Sequence, residues 1–132
     1  TSKATIFALS TVPGRAGVAV VRISGSHAGM VLNVMTPKRP KPREAGGRKI
    51  LHPRTGDVLD RGVVLWFPSP RSFTGEDVAE LHLHGGVAVV RAVLAALAEF
   101  PDCRAAEPGE FARRAFDNGK IDLVEAEGLA DL

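Results

Sequence analysis

Apolar and polar positions change their spacing several times along this chain, and each change marks an element. Thr5 to Ser10 and Gly17 to Ser24 are rich in β-branched or apolar residues and flank Pro13-Gly14, which predicts a strand, a loop and a second strand. From His27 to Met35, Met30, Val31 and Val34 recur at three-to-four-residue spacing before Pro37, which predicts a short helix. Ile50 to His52 and Gly62 to Phe67 predict strands around the turn Thr55-Gly56-Asp57. The second is apolar nearly throughout, as expected of a strand covered on both faces at the centre of a sheet. After the turn Ser72-Phe73-Thr74-Gly75-Glu76, Asp77 to His84 alternates as a strand does. Val87, Val90, Leu94 and Leu97 then recur at helical spacing, which predicts the longest helix, running to Phe100.

Arg104 to Ala106 reads as one more strand. Pro108 sits where the first turn of a helix tolerates proline, with Phe111, Ala115 and Phe116 on its buried side and Asn118-Gly119 as a left-handed stop. Asp122 caps another helix, with Glu125 in the capping-box position. Leu129 and Leu132 face nothing identifiable in the chain, so the natural protein is expected to continue into a further helical segment.

With 132 residues, 45% of them hydrophobic and 24% charged, one compact domain with one core is expected. The longest apolar stretch, Val87 to Leu97, is broken by Arg91 and falls short of the ~20 residues that cross a bilayer, so no membrane span is expected. The start, Thr1-Ser2-Lys3-Ala4, has none of the features of a secretory signal. Cys103 is the single cysteine and cannot form an internal disulfide, which fits a reducing compartment. The net charge of +2 permits contact with a polyanion without demanding it. Six basic residues gather between Pro37 and Lys49, with three prolines, two adjacent glycines and only Glu44 against them. That composition reads as an exposed loop, and without an aromatic residue for base stacking a solvated run is favoured over a tRNA phosphate patch.

Few segments carry a chemical signature. Pro13-Gly14-Arg15-Ala16-Gly17 is glycine-rich but lacks a P-loop's Gly-Lys-Ser/Thr ending, and a strand rather than a helix follows it, so no nucleotide site is expected. In the second strand Val18, Val20, Arg22 and Ser24 share one face, and Ala19, Val21 and Ile23 the other. An arginine emerging from an apolar strand needs a partner, either a carboxylate on a neighbouring strand or a ligand's. Between Val78 and His84, Ala79, Leu81 and Leu83 form an apolar face and Glu80, His82 and His84 a polar one, leading into Gly85-Gly86. Three readings of the polar face are open. It is a solvated surface, a zinc site of a hydrolase-like domain using Glu80, His82 and His84, or a site where Glu80 accepts two parallel hydrogen bonds from a heterocycle such as a pterin or guanine. His84-Gly85-Gly86 is not accompanied by a Gly-x-Ser-x-Gly nucleophile elbow. Lys120, just beyond a helix end, reads as a cation neutralising the helix dipole.

Taken in order, Pro13-Gly14-Arg15-Ala16-Gly17-Val18, Val21-Arg22-Ile23-Ser24-Gly25, Phe73-Thr74-Gly75-Glu76-Asp77, His84-Gly85-Gly86, Pro108-Gly109-Glu110-Phe111 and Arg114 to Leu123 resemble the N-terminal domain of the MnmE (TrmE) family of tRNA-modifying GTPases. Glu125 to Leu132 is similar to the start of that family's helical domain, which places a boundary near residue 120. The resemblance implies an α+β domain, a mixed β-sheet packed by about three helices and related to the folate-binding part of aminomethyltransferases. It implies binding of 5-formyl- or methylene-tetrahydrofolate at Arg22, Glu80 and Lys120, and a homodimer formed through this domain. It further implies a partnership with the flavoprotein MnmG in modifying the wobble uridine of tRNA. GTP, magnesium and potassium would belong to a GTPase domain that lies outside this sequence. The basic loop and His82 match no family role.

Overall fold

The computed structural model of the protein describes residues 3–10 and 17–130. The expected Pro13-Gly14 turn and Leu132 lie outside these residues, as does the Leu129 side chain. Six strands and four helices follow in the order β1 (Thr5–Leu9), β2 (Ala19–Ser24), α1 (Ala28–Met35), β3 (Gly46–Leu51), β4 (Val58–Phe67), β5 (Val78–Leu83), α2 (Val87–Ala98), β6 (Cys103–Ala105), α3 (Glu110–Asp117) and α4 (Leu123–Ala130). The strands form one sheet in the order β3-β4-β5-β2-β1-β6, antiparallel throughout except for the parallel pairing of β6 with β1. The fold is therefore α+β with a mixed sheet, as expected, its first three helices packing with the sheet's domain and α4 following the cap at Asp122. No helix among the described residues is long and apolar enough to cross a membrane.

Strand alternation divides the sheet into two unequal faces. Phe7, Val21, Ile23, Ile50, Val64, Trp66, Ala79, Leu81 and Leu83 point to one side, where Val31, Leu32 and Met35 of α1 and Val93, Ala96 and Leu97 of α2 cover them. Burial of each large side chain in this layer contributes roughly 1.5–3 kcal/mol. On the opposite side Val20, Arg22, Val63, Leu65, Phe67, Glu80 and His82 remain only partly covered.

Four expectations need correction. The apolar strand Gly62 to Phe67 belongs to β4, next to the edge, whereas β5 and β2 are central. Its second apolar row, Val63, Leu65 and Phe67, lies on the partly covered face, so the continuous apolar run reports a half-open surface rather than burial on both sides. In α1, Met30 and Val34 are exposed, because Ala28, Val31, Leu32 and Met35 make a wider inward stripe. The basic loop ends earlier than its composition suggests. Gly46 to Lys49 already pair with β4, an edge strand made by backbone hydrogen bonds that composition does not reveal. Two basic residues there serve the fold. Arg39 lies 4.4 Å from the Trp66 ring and donates to the Gly29 carbonyl at 3.0 Å, while Arg48 donates to the Lys38 carbonyl at 2.6 Å.

Helix α3 gives the fourth. Pro108 and Gly109 form a turn before it rather than its first turn, with Gly109 as N-cap at φ 76°. Its buried residues are Ala112, Arg114 and Ala115, while Phe111 and Phe116 are only partly covered. An arginine thus occupies the position expected of an aromatic, and it is only 4% exposed. Arg114 Nη1 donates to Glu76 at 3.1 Å and its Nη2 to Glu110 at 3.4 Å. Arg104 grips the same Glu110 with two bonds of 2.7 and 2.6 Å, and Ser24 donates to Glu76 at 2.7 Å. The helix ends as expected at Asn118-Gly119, with Gly119 at φ 71°. Asp122 and Glu125 form the expected reciprocal capping box, at 2.8 and 3.3 Å.

Arg104's hydrogen bonds, and then the Glu107 amide, hold the Glu110 carboxyl at about 2, below its ordinary 4.5. Because this pKa is depressed on folding, the stability it confers is complete above pH 4.5 and is lost as pH falls towards 2. Glu110→Gln is expected to lower the melting temperature at pH 7 by roughly 5 °C and to flatten its decline across that acidic window, as read by circular dichroism from pH 7 to 2. Arg114→Ala leaves the partly buried Glu76 without its cation and is expected to destabilise the chain by about 2–3 kcal/mol in urea unfolding, whereas Arg114→Lys recovers part of that loss.

Candidate ligand site on the open sheet face

The register of the two central strands builds the site. Arg22 of β2 lies directly opposite Glu80 of β5, and Val20 opposite His82. Arg22 Nε and Nη2 both donate to Glu80 Oε2, at 3.2 and 3.1 Å, so the arginine has a strand-borne carboxylate as its partner. The other carboxylate oxygen, Oε1, meets His82 Nε2 at 3.1 Å. The side chains of Arg22, Glu80 and His82 retain 27%, 16% and 27% of their accessible surface, which leaves the cluster reachable from solvent yet poorly hydrated. Around it Val20, Val63 and Leu65 provide a half-covered apolar surround.

A wall rises beside this cluster from residues 72–76. Phe73 places its ring 5.3 Å from the Arg22 guanidinium carbon, within reach of a cation–π contact. The turn carrying Phe73 is fixed at both ends of its polar frame. Thr74 and Ser24 hydroxyls are 2.7 Å apart, Glu76 takes the bonds from Ser24 and Arg114, and Asn118 Nδ2 donates to the Thr74 carbonyl at 2.8 Å. Gly75 has φ 84°, and a Cβ on it would come within 2.9 Å of Asn118 Cβ, so the turn seats against the end of α3 only because this residue is glycine.

That seating also brings in Lys120. The residue is exposed just past Gly119, its side chain passes Gly75 with Cε 3.4 Å from that ideal Cβ position, and its amide donates to the Ala115 carbonyl at 2.8 Å. No ion pair engages it among the described residues. Arg22 and Glu80 therefore touch each other, while Lys120 lies against Gly75 of the turn that carries Phe73. Sequence reasoning did not single out Phe73 or the Glu76–Arg114 brace. Phe73 is visible only as a residue inside a turn signal, and Arg114 only as one more charge on a helix.

The zinc reading does not survive this geometry. β5 ends at Leu83, so His84 leaves the row of Glu80 and His82, and Glu80 is already engaged by Arg22 and His82. Among the described residues no three His, Cys, Asp or Glu side chains are grouped to hold a metal ion. What the cluster offers is a carboxylate with both oxygens oriented by neighbours and a fixed guanidinium under an aromatic ring, with the Lys120 side chain against the adjoining turn. That set suits a planar polar heterocycle with adjacent N–H donors.

Comparison with known proteins agrees with the resemblance. Residues 5–120 match the family described as GTP-binding protein TrmE N-terminus. Over 129 residues the chain is 58% identical to the tRNA modification GTPase MnmE of Parvibaculum lavamentivorans, covering 97% of this chain and 30% of that protein. It is 57% identical over 133 residues to the mitochondrial 5-taurinomethyluridine-[tRNA] synthase subunit GTPB3 of Homo sapiens, covering 99% of this chain and 27% of that protein. A third relative, the tRNA modification GTPase MnmE of Rhodopseudomonas palustris, is 57% identical over 131 residues. The chain spans less than a third of the length of these curated relatives. On a match that runs through all six strands and the helices α1, α2 and α3, the chain belongs to the TrmE N-terminal family.

Proposed function

We propose that this chain is the tetrahydrofolate-binding and dimer-forming domain of a tRNA-modifying GTPase, spanning residues 1–120, with 121–132 opening a following helical domain. In the whole protein, GTP with magnesium and potassium belongs to a separate GTPase domain. The protein works with the flavoprotein MnmG on the wobble uridine of tRNA, the folate supplying the transferred carbon, in bacterial cytoplasm or mitochondrial matrix. The observation that carries the folate reading is the Arg22–Glu80 pair, half-buried on an otherwise apolar sheet face beneath Phe73.

The residues present fit a reduced pterin. Its 2-amino-pyrimidine edge carries adjacent N–H groups that match the two oxygens of Glu80. Glu80 Oε2 already accepts two bonds from Arg22, so ligand entry requires one of these to be exchanged, and the released guanidinium nitrogen is then free for a ring carbonyl. Phe73 closes one side of the plane, and Lys120 supplies a cation at that end. When bound, the folate brings the one-carbon group; the chain's own part is to orient the ring and exclude water from one side.

The domain's second role, joining two copies of the chain, is what the family resemblance implies.

Two outcomes test the reading. In calorimetric titration with 5-formyltetrahydrofolate, the chain is expected to show saturable binding while GTP gives none. Arg22→Ala and Glu80→Ala each leave a desolvated partner unpaired, at a cost of about 1–3 kcal/mol, so affinity should fall by roughly 5- to 150-fold. Circular dichroism is expected to stay unchanged in both variants, and unfolding of either would defeat the assignment to a ligand site. For assembly, light scattering should report a dimer. A chain that stays monomeric at every concentration contradicts the dimerisation role.

A further inference from the structure

We propose that the open face carries a second, cationic subsite, built from Lys49 and Arg61, that receives the γ-linked glutamate tail of a polyglutamylated folate. The inference rests on the pterin reading of Glu80 and extends it by giving the ligand a direction across the sheet.

Lys49 of β3 lies directly opposite Arg61 of β4. Two like charges facing each other across an antiparallel pair repel one another, and such a pair is stabilised when an anion bridges it. Both side chains are exposed, and no ion pair engages either among the described residues. The nearest sequence neighbour with a carboxylate, Asp60, is turned away, because its Oδ2 accepts the amides of His84 and Gly85 at 2.7 and 3.3 Å.

The position of this pair relative to Glu80 is fixed by register. Leu65 pairs with Glu80 and Val63 with His82, so Arg61 follows in the same row of the same face. Four residues of strand separate Arg61 from Leu65, which is about 13 Å. That span is comparable to a pterin joined through an aminobenzoyl group to its first glutamate. The path between is apolar and low. Leu65 and Val63 line it, and Gly47, opposite Val63, has nothing within 4 Å of where a Cβ would stand. Beyond it, Gly47, Lys49, Arg61, Val63 and His84 line a shallow concavity.

The sequence of environments therefore follows the ligand's own chemistry, with a carboxylate for the amino-pyrimidine, an apolar strip for the benzoyl ring, and two cations for the tail. Lys120 is left at the pterin end, on the opposite side of Glu80. RNA phosphates would also be attracted to Lys49 and Arg61, but no Phe, Tyr or Trp lines the concavity, and His84 is the one ring there for a base to stack on.

The test is titration of the full chain with 5-formyltetrahydrofolate bearing one glutamate and with the same folate bearing five. The pentaglutamate is expected to bind about tenfold more tightly at low salt, and the advantage should collapse near 1 M salt, where the Debye length is about 3 Å. The double variant Lys49→Gln, Arg61→Gln should erase the advantage while changing monoglutamate affinity by no more than about threefold. Lys49→Gln alone should give an intermediate value, and circular dichroism should show both variants folded. Equal affinity for the two folates, or an advantage that persists in the double variant, overturns the tail site while leaving the pterin site standing. Binding of neither folate removes both. Loss of affinity for a short single-stranded RNA in the double variant, with the polyglutamate preference unchanged, would overturn the tail site and assign the cations to RNA phosphate.

Discussion

The pairing register of β2 with β5 is the constraint on which site and core both depend. Side chains alternate with period two, so a slip of β5 by one residue would send Glu80 and His82 under the helices and bring Ala79, Leu81 and Leu83 to the surface. Leu81 and Leu83, at roughly 1.5–3 kcal/mol each, oppose that slip, whereas a partly exposed ion pair is worth about 0–1 kcal/mol. Hydrophobic burial therefore fixes where Arg22 meets Glu80. The ion pair is a consequence of the register, which leaves its strength free to be exchanged for a ligand without endangering the fold.

A second dependence runs through Glu76. The turn that carries Phe73 has no ladder of its own, and irregular segments of this kind are ordinarily mobile. Here Glu76 is held from below by Ser24 of the central strand and from the side by Arg114, which is itself shared with Glu110 and, through it, Arg104. A chain of charge-assisted bonds thus connects β6, α3, the turn and β2. Lys120 is placed by the last turn of the same helix, so the network sets the spacing between the ammonium and the guanidinium even though neither belongs to it.

Much of this organisation was legible in the sequence, and the parts that were not share a cause. Period-two alternation identified β5 with its polar row, and Asn118-Gly119 and Asp122 with Glu125 identified a helix stop and a cap, because each signal is local and has a single backbone solution. The pairing of Arg22 with Glu80 was one of two open alternatives, since alternation gives a side chain's face and not its neighbour. Partners across 58 residues are decided by strand order, and strand order placed β4 beside the edge despite its apolar run. Arg114 was missed for the same reason. A charged residue reads as exposed until its carboxylates, one of them 38 residues away, are known to surround it.

The arrangement around Glu80 also determines what kind of ligand could gain from binding there. A carboxylate has about four acceptor positions, and Glu80 already accepts three protein bonds, so a ligand with more than one donor contributes only the difference between its own donors and those it displaces. A molecule with a single N–H fills only the position left on Oε1. One with two adjacent N–H groups and a neighbouring carbonyl can occupy both oxygens and also receive the arginine it displaced, so every group stays paired. On the proposed pterin reading, a flat heterocycle with that donor–donor–acceptor edge keeps Arg22 paired beneath Phe73, as a simple cation or amide does not.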